Sequence, residues 1–158
     1  MRKLKIEIPK GFEVESFDQE SGEIKFRKTP KDVTERIKHP EDAISELGEN
    51  DIDVIDYRKM LNVGVSDHYL NYAKVVIIIK ALNEGWVPDW GDKTQPKYQL
   101  YFNMGGSSGS GFSYDDCACW RTASTCGSRL CFREKRLGLY AVKQFPEVFK
   151  NFMLIKNQ

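Results

Sequence analysis

The sequence lacks the features that define membrane and secreted proteins. Its longest uninterrupted apolar run is VVIII at 75–79, whereas a membrane-spanning helix needs about 20 apolar residues. The N-terminus, MRKLKIEIPKGF, alternates lysines with apolar residues and contains no apolar stretch of the kind found in a signal peptide. We therefore expect a cytoplasmic protein that has no membrane partner.

Residue types typical of catalytic sites are also scarce. The chain has two histidines, His39 and His68, and neither stands at a spacing typical of metal ligands. Asp115 and Asp116 would point to opposite faces of a regular strand, which argues against a paired-carboxylate site. The stretch GGSSGSG at 105–111 has no lysine and no predicted helix after it, unlike a phosphate-binding loop. These absences favour a protein that is not an enzyme, although a cysteine–histidine dyad with His68 stays open.

The chain has little net charge, with a formal value of +1, but its charges are unevenly distributed. Residues 1–60 contain twelve basic and fifteen acidic side chains, whereas residues 117–158 contain eight basic and two acidic ones. Such a basic segment favours a polyanionic partner. The alternative is an ordinary solvated helix face, because the pI of about 7.6 lies below the value of about 9 typical of nucleic-acid-binding domains.

What is present is a globular composition. The 158 residues are 41% hydrophobic and 12% aromatic, which fits one domain with a sizeable core. We expect a single α+β domain over residues 1–158 with an antiparallel sheet. Its predicted parts are an N-terminal β-hairpin (1–28), short helices, one long buried central helix (66–84), a three-stranded antiparallel meander (97–133) and a C-terminal amphipathic helix (134–154).

Local patterns assign the N-terminal third. KLKIEI at 3–8 alternates apolar and charged residues as a strand does, and the segments on either side of Gly22 predict the hairpin. A proline after Thr29 and another after His39 indicate the first turns of two short helices. The acidic segment ENDIDVID at 49–56 predicts a loop or a short edge strand.

The central helix has clear limits, since Ser66 is suited to cap it and Gly85 and Pro88 to end it. Apolar residues recur at helical spacing, which outweighs the strand preference of the β-branched run. Two tryptophans, Trp86 and Trp90, follow in GWVPDW. They favour a plug that closes the core, with a stacking platform for a ligand as the alternative.

The C-terminal half predicts three strands, KYQLYFNM, GFSYDDCACWRTA and SRLCF, followed by a helix. Apolar residues at i, i+3 and i+4 spacing make that helix amphipathic over 134–154. Pro146 lies inside it, so either a second helix begins there or one helix is kinked.

Four cysteines are clustered in this region: Cys117, Cys119, Cys126 and Cys131. Four thiolates can hold a tetrahedral zinc ion, although this spacing is not that of paired C-x2-C motifs. If residue 119 faces residue 131 across a hairpin, two alternatives are possible. The cysteines could bind one zinc ion across the hairpin, or Cys119 and Cys131 could form a disulfide. Reduced thiols that pack as small apolar side chains are the favoured interpretation. We therefore expect no cofactor, with zinc as the alternative.

Aromatic and basic residues supply the candidate binding surface. Aromatic rings beside arginines stack nucleic-acid bases or nucleotides, although the same rings are needed to fill the core. The candidate binding residues are Trp86, Trp90, Tyr114, Trp120, Arg121, Arg129 and Arg133.

Three segments together resemble a known group of proteins. They are IEIPKGFEVESFDQESGEIKF, IIKALNEGWVPDW, and GSRLCF leading into YAVKQFPEVFKNF. They resemble small proteins of unknown function from phages, prophages and mobile elements of Bacteroides-like gut bacteria. The resemblance implies a phage-associated protein in the cytoplasm of the bacterial host, with a place in the virion left open. It implies no site residue.

These observations favour a non-enzymatic accessory protein that binds a macromolecule, either a host or virion protein or a nucleic acid. The first alternative is a small-ligand or nucleotide-binding protein that uses aromatic stacking and arginines. The second alternative is a cysteine- or zinc-dependent enzyme.

Overall fold

The computed structural model describes residues 5–106 and 110–154. The fold is α+β with antiparallel strand pairs, as predicted. In chain order the elements are β1 (Phe12–Phe17), β2 (Ile24–Lys28), α1 (Val33–Arg36), α2 (Pro40–Leu47), α3 (Ile52–Val63), α4 (Asp67–Leu82), β3 (Lys97–Asn103), β4 (Ser113–Trp120), a 3-10 helix (Ser128–Leu130), α5 (Lys135–Gln144) and α6 (Pro146–Met153). No helix in the described part of the chain combines the length and apolar character needed to cross a membrane.

The chain divides into two compact units, residues 1–32 and 33–158. That the whole chain forms one domain stays a prediction. The first unit contains the predicted hairpin, which begins at Phe12 rather than near residue 1. In its turn, the Asp18 carboxylate accepts hydrogen bonds from the backbone N–H groups of Glu20 and Ser21. The strand predicted at 3–8 is wrong for residues 5–8, which form no strand, and residues 3 and 4 lie outside the described part. No described residue of this unit is buried, so its pairing is maintained by backbone hydrogen bonds with little apolar burial.

The core of the second unit surrounds α4. The run Val75–Ile79 is helical and entirely buried, because α2, α3 and α6 pack around this helix. Burial on every side removes the need for an amphipathic pattern and lets β-branched residues fill the core. Asn83 ends the helix, with its backbone N–H bonded to the carbonyl oxygen of Ile79. The prediction of a long, buried central helix is confirmed.

The segment predicted as a loop or edge strand at 49–56 instead begins α3, so that prediction is wrong. The carboxylate of Asp51 accepts a hydrogen bond of 3.0 Å from the backbone N–H of Asp53 and caps the helix. Acidic residues are favourable in the first turn of a helix, where the backbone N–H groups are unpaired. Val54 and Tyr57 are buried one turn apart and anchor the helix to the core.

The prediction of a three-stranded meander is also wrong. Strands β3 and β4 form a two-stranded antiparallel sheet, and residues 128–130 form a 3-10 helix. Only Phe132 joins the sheet, through two backbone hydrogen bonds to Tyr98 of 2.8 and 3.0 Å. These bonds lie on the edge of β3 opposite β4. The buried side chain of Asn83 bonds to the carbonyl oxygen of Cys131 and to the N–H of Arg133. A third strand is limited to one bridge, because the 3-10 helix Ser128–Leu130 precedes Phe132 and α5 begins at Lys135, while Asn83 binds the backbone edge that faces away from β3.

The predicted C-terminal helix over 134–154 is two helices, α5 and α6. Phe145 separates them and is buried at the break. Pro146 begins α6, where its missing N–H costs nothing, whereas inside one continuous helix it would remove a backbone hydrogen bond. This is the first of the two alternatives left open by the sequence.

Replacing Gly105 by alanine is expected to lower the free energy of unfolding by about 1–3 kcal/mol. Gly105 has a φ of +67°, and a Cβ there would lie 2.2 Å from the carbonyl oxygen of Ser110. Gly106→Ala is the matched control, because a Cβ at Gly106 meets no atom within 4 Å. Denaturant unfolding of both variants measures the difference, and equal stabilities would show that the close approach does not constrain this connection.

Candidate functional site

The structure divides the four predicted metal ligands into two groups. Cys117 and Cys119 lie on β4, whereas Cys126 and Cys131 flank the 3-10 helix on the opposite edge of β3. The pairing of residue 119 with residue 131, which was the condition for the zinc clip and the Cys119–Cys131 disulfide, does not occur, because Cys119 lies opposite Tyr98 of β3. All four thiols are free. Within residues 5–106 and 110–154, no three histidine, cysteine, aspartate or glutamate side chains are placed to hold a metal ion.

Cys126 and Cys131 instead form a pair of neighbouring thiols. The Gly127 carbonyl oxygen lies 3.9 Å from Cys126 Sγ and 3.2 Å from Cys131 Sγ. Cys126 Sγ also lies 3.8 Å from the carbonyl oxygen of Leu130. Cys126 is exposed, whereas Cys131 is fully buried. The pair therefore has one sulfur open to solvent and one inside the protein.

Buried polar groups surround the inner sulfur. The amide of Gln99, which is 1% exposed, donates hydrogen bonds to Cys131 Sγ at 3.2 Å and to Ser124 Oγ at 2.6 Å. The hydrogen bond from Cys126 lowers the pKa of Cys131 to about 7 against the opposing effect of burial, and Gln99 and the Lys97 ammonium lower it further. The same hydrogen bond and burial raise the pKa of Cys126. Of the two thiols, the buried Cys131 is therefore the one that ionises more readily.

Lys97 is fully buried and holds the loop that precedes β3. Its ammonium donates hydrogen bonds of 3.0 Å to the carbonyl oxygens of Asp92 and Gln95. It also stands 5.5 Å from the ring centroid of Trp90, a cation–π geometry. These contacts satisfy a charge that would otherwise be costly to bury.

The predicted tryptophans have structural contacts. Trp90 is half-buried and donates a hydrogen bond of 2.8 Å from Nε1 to Ser128 Oγ, which ties the loop to the 3-10 helix. Trp86 is half-buried directly after α4, with its backbone N–H bonded to the carbonyl oxygen of Asn83. Trp120 ends β4, and its Nε1 is buried without a hydrogen-bond partner among the described residues. The three indoles are not brought together into one stacking surface.

The three predicted arginines also have protein partners. Arg129 pairs with Asp53 of α3, and Arg133 pairs with Glu84 after α4. Arg121 donates a hydrogen bond of 2.8 Å to the carbonyl oxygen of Thr94. These guanidinium groups connect parts of the core, and a phosphate would have to compete with those contacts.

Two cavities lie beside the stacked rings of Phe102 and Phe149, whose centroids are 5.6 Å apart. The first cavity has a volume of about 230 Å³ and is almost wholly apolar. Its lining includes Leu100, Cys126, Leu130, Phe152 and Met153. The second cavity, of about 160 Å³, shares Phe102 and Phe149 with the first and is also lined by Tyr114, Glu147 and Lys150.

Comparison of this chain with models of protein families, with curated proteins and with solved structures gives no match. The candidate site is therefore defined by its geometry alone. Of the residues predicted from the sequence, Tyr114 lines the second cavity and Cys126 lines the first. Sequence reasoning missed Gln99 and Lys97, because strand alternation assigned the alternate, apolar positions of β3 to the core.

Proposed function

We propose that this chain is a non-enzymatic accessory protein that binds a protein partner through the two cavities beside Phe102 and Phe149. The partner presents a large apolar side chain to the first cavity and acidic residues to the second. The phage or mobile-element context implied by the sequence resemblance belongs to the same proposal, and the partner is then a host or virion protein. The observation that carries the proposal is the partly open apolar cavity formed by α4, β3 and α6.

The size and lining of the first cavity favour an apolar anchor over a nucleotide. Pockets for small molecules usually measure about 300–1,000 Å³ and contain several polar groups. The first cavity is smaller, and the described residues that line it are apolar apart from the sulfur atoms of Cys126 and Met153. One large apolar side chain suits this volume, since an apolar cavity of about 150 Å³ holds a benzene molecule.

The charges near the second cavity favour an acidic partner segment. Lys150 lines this cavity, and Lys143 is exposed on α5. Neither lysine has an ion pair within the described part of the chain. Glu147 supplies one opposing charge. Nucleic acid is less favoured than an acidic protein segment, because Arg129 and Arg133 already pair with carboxylates.

The test is a selection of random peptides on the purified protein. We expect the selected peptides to share one aromatic or branched aliphatic residue next to aspartate or glutamate. Leu130→Trp fills the first cavity from its side and should weaken their binding by about tenfold or more, which corresponds to about 1.4 kcal/mol. Lys150→Glu should weaken binding mainly at low salt, because exposed charges are screened at high salt.

The matched control is Leu139→Trp, which places the same side chain at an exposed leucine of α5 that does not line either cavity. It should leave peptide affinity unchanged, and thermal melts verify that both tryptophan variants are folded. Peptides without an apolar anchor, or equal affinity for the Leu130→Trp and wild-type proteins, would overturn the proposal. Salt-sensitive binding to DNA that survives Leu130→Trp would favour a nucleic-acid partner instead.

A further inference from the structure

We infer that Cys126 and Cys131 form a redox-active thiol pair, which a small-molecule disulfide converts into an intramolecular disulfide. The inference does not rest on the proposed function, although Cys126 also lines the first cavity. Both sulfurs approach the same carbonyl oxygen, that of Gly127, at 3.9 Å for Cys126 and 3.2 Å for Cys131. Because the sulfurs are already neighbours, closure needs side-chain rotation and no change of fold.

The loop between the two cysteines is suited to closure. Gly127 adopts a φ of +74°, a left-handed conformation that favours glycine, and the 3-10 helix Ser128–Leu130 then turns the chain tightly. Asn83 fixes the far end of this turn by bonding to the carbonyl oxygen of Cys131 at 2.8 Å. Cys131 is therefore held in place, and Cys126 is the sulfur that moves.

Access defines the order of the reaction. Cys126 is exposed and lines the first cavity, whereas Cys131 is fully buried, so a reagent disulfide reaches Cys126 alone. The Cys126 thiol gives up its proton to solvent and becomes the attacking thiolate. That thiolate attacks the reagent, whose sulfur–sulfur bond breaks, and the first reagent thiolate leaves.

The second step closes the protein disulfide. The Cys131 sulfur gives up its proton and attacks Cys126 Sγ, which breaks the mixed disulfide and releases the second reagent thiolate. The two reagent thiolates take up the two protons that the cysteines lost. Two protein thiols are thereby oxidised, and one reagent disulfide is reduced to two thiols. Gln99 and Lys97 support this step, because the Gln99 hydrogen bond and the Lys97 charge both lower the pKa of Cys131 and so favour the thiolate that attacks.

The other two cysteines provide internal controls. Cys117 is buried, so a reagent disulfide does not reach it. Cys119 is exposed on β4 but lies on the opposite edge of β3 from the pair. Neither is expected to form an intramolecular disulfide, and Cys119 serves as a reference for an exposed thiol without a resolving partner.

The experiment treats the folded, reduced protein with glutathione disulfide near neutral pH and follows intact mass and disulfide-linked peptides. A protein with Cys117→Ser and Cys119→Ser should lose two hydrogen atoms and yield a single Cys126–Cys131 link. Adding Cys131→Ser should stop the reaction at one glutathione bound to Cys126. Adding Cys126→Ser instead should leave the protein without glutathione, because Cys131 is not accessible.

Three results would overturn the inference. The first is a Cys117→Ser/Cys119→Ser protein that stays reduced, or that keeps glutathione without closing the disulfide. The second is modification of Cys131 in the folded Cys126→Ser protein. The third is a wild-type disulfide that links Cys117 to Cys119. Circular dichroism of each serine variant verifies that the reaction reports on the native fold.

Discussion

Replacing Asn83 by alanine is expected to lower the free energy of unfolding by about 2–4 kcal/mol, since each buried polar group left without a partner costs about 1–3 kcal/mol. The Asn83 side chain is 5% exposed. It donates a hydrogen bond of 2.8 Å to the carbonyl oxygen of Cys131 and accepts one of 3.0 Å from the N–H of Arg133. Alanine leaves both backbone groups unpaired inside the protein. The measurement is chemical denaturation monitored by tryptophan fluorescence.

Two further variants make this prediction specific. Asn83→Asp keeps an acceptor for the Arg133 N–H but buries a charge and sets an oxygen against the carbonyl oxygen of Cys131, so it should lose at least as much stability as the alanine variant. Asn62→Ala removes an exposed asparagine of α3 and should change stability by less than about 0.5 kcal/mol. Similar stabilities for the Asn83→Ala and Asn62→Ala proteins would show that the bonds to residues 131 and 133 are not needed.

Replacing Phe132 by alanine is expected to cost about 3–5 kcal/mol, the usual range for truncating a buried aromatic residue. Phe132 is fully buried and packs near Gly138 of α5, where an added Cβ would lie 3.4 Å from its ring. Its two backbone bonds to Tyr98 are retained in the variant, so the loss reports on the side chain. Thermal and denaturant unfolding measure it.

Leu139→Ala is the control for Phe132→Ala, because Leu139 is a large apolar residue of the neighbouring helix α5 but is 41% exposed. Its truncation should cost well under half as much as that of Phe132, since little apolar area returns to water. Phe132→Leu should cost less than alanine, because it retains most of the buried volume. An equal loss for the Phe132→Ala and Leu139→Ala variants would contradict the burial of Phe132 in the core.

Elements with local signals were predictable from the sequence. The central helix needed only its capping residues and its apolar content, and the hairpin needed alternating strands around a glycine turn. The second short helix begins at the proline after His39, where Asp42 accepts hydrogen bonds from the backbone N–H groups of Lys38 and His39. Each of these signals lies within a few residues of the element that it defines.

The errors arose where contacts between residues far apart in the chain decide the local structure. SRLCF has the composition of a strand, but its first three residues form a 3-10 helix and only Phe132 bridges to Tyr98, while Asn83, 48 residues before Cys131, binds the other edge of this backbone. The segment at 49–56 has the acidity of a loop, but Val54 and Tyr57 reach the core when it is helical. Tertiary contacts outweigh local preferences of about 1 kcal/mol or less per residue.

The candidate site shows the same division. The sequence by itself determined that four thiols are clustered, that the C-terminal third is basic and that the tryptophans follow the end of a long helix. Only the tertiary structure decided that Cys126 pairs with Cys131, that Arg129 meets Asp53 and that an apolar cavity opens beside Phe102. The physical reason is that spacing along the chain fixes local geometry, whereas thiol pairing, ion pairing and cavities depend on contacts between residues far apart in sequence.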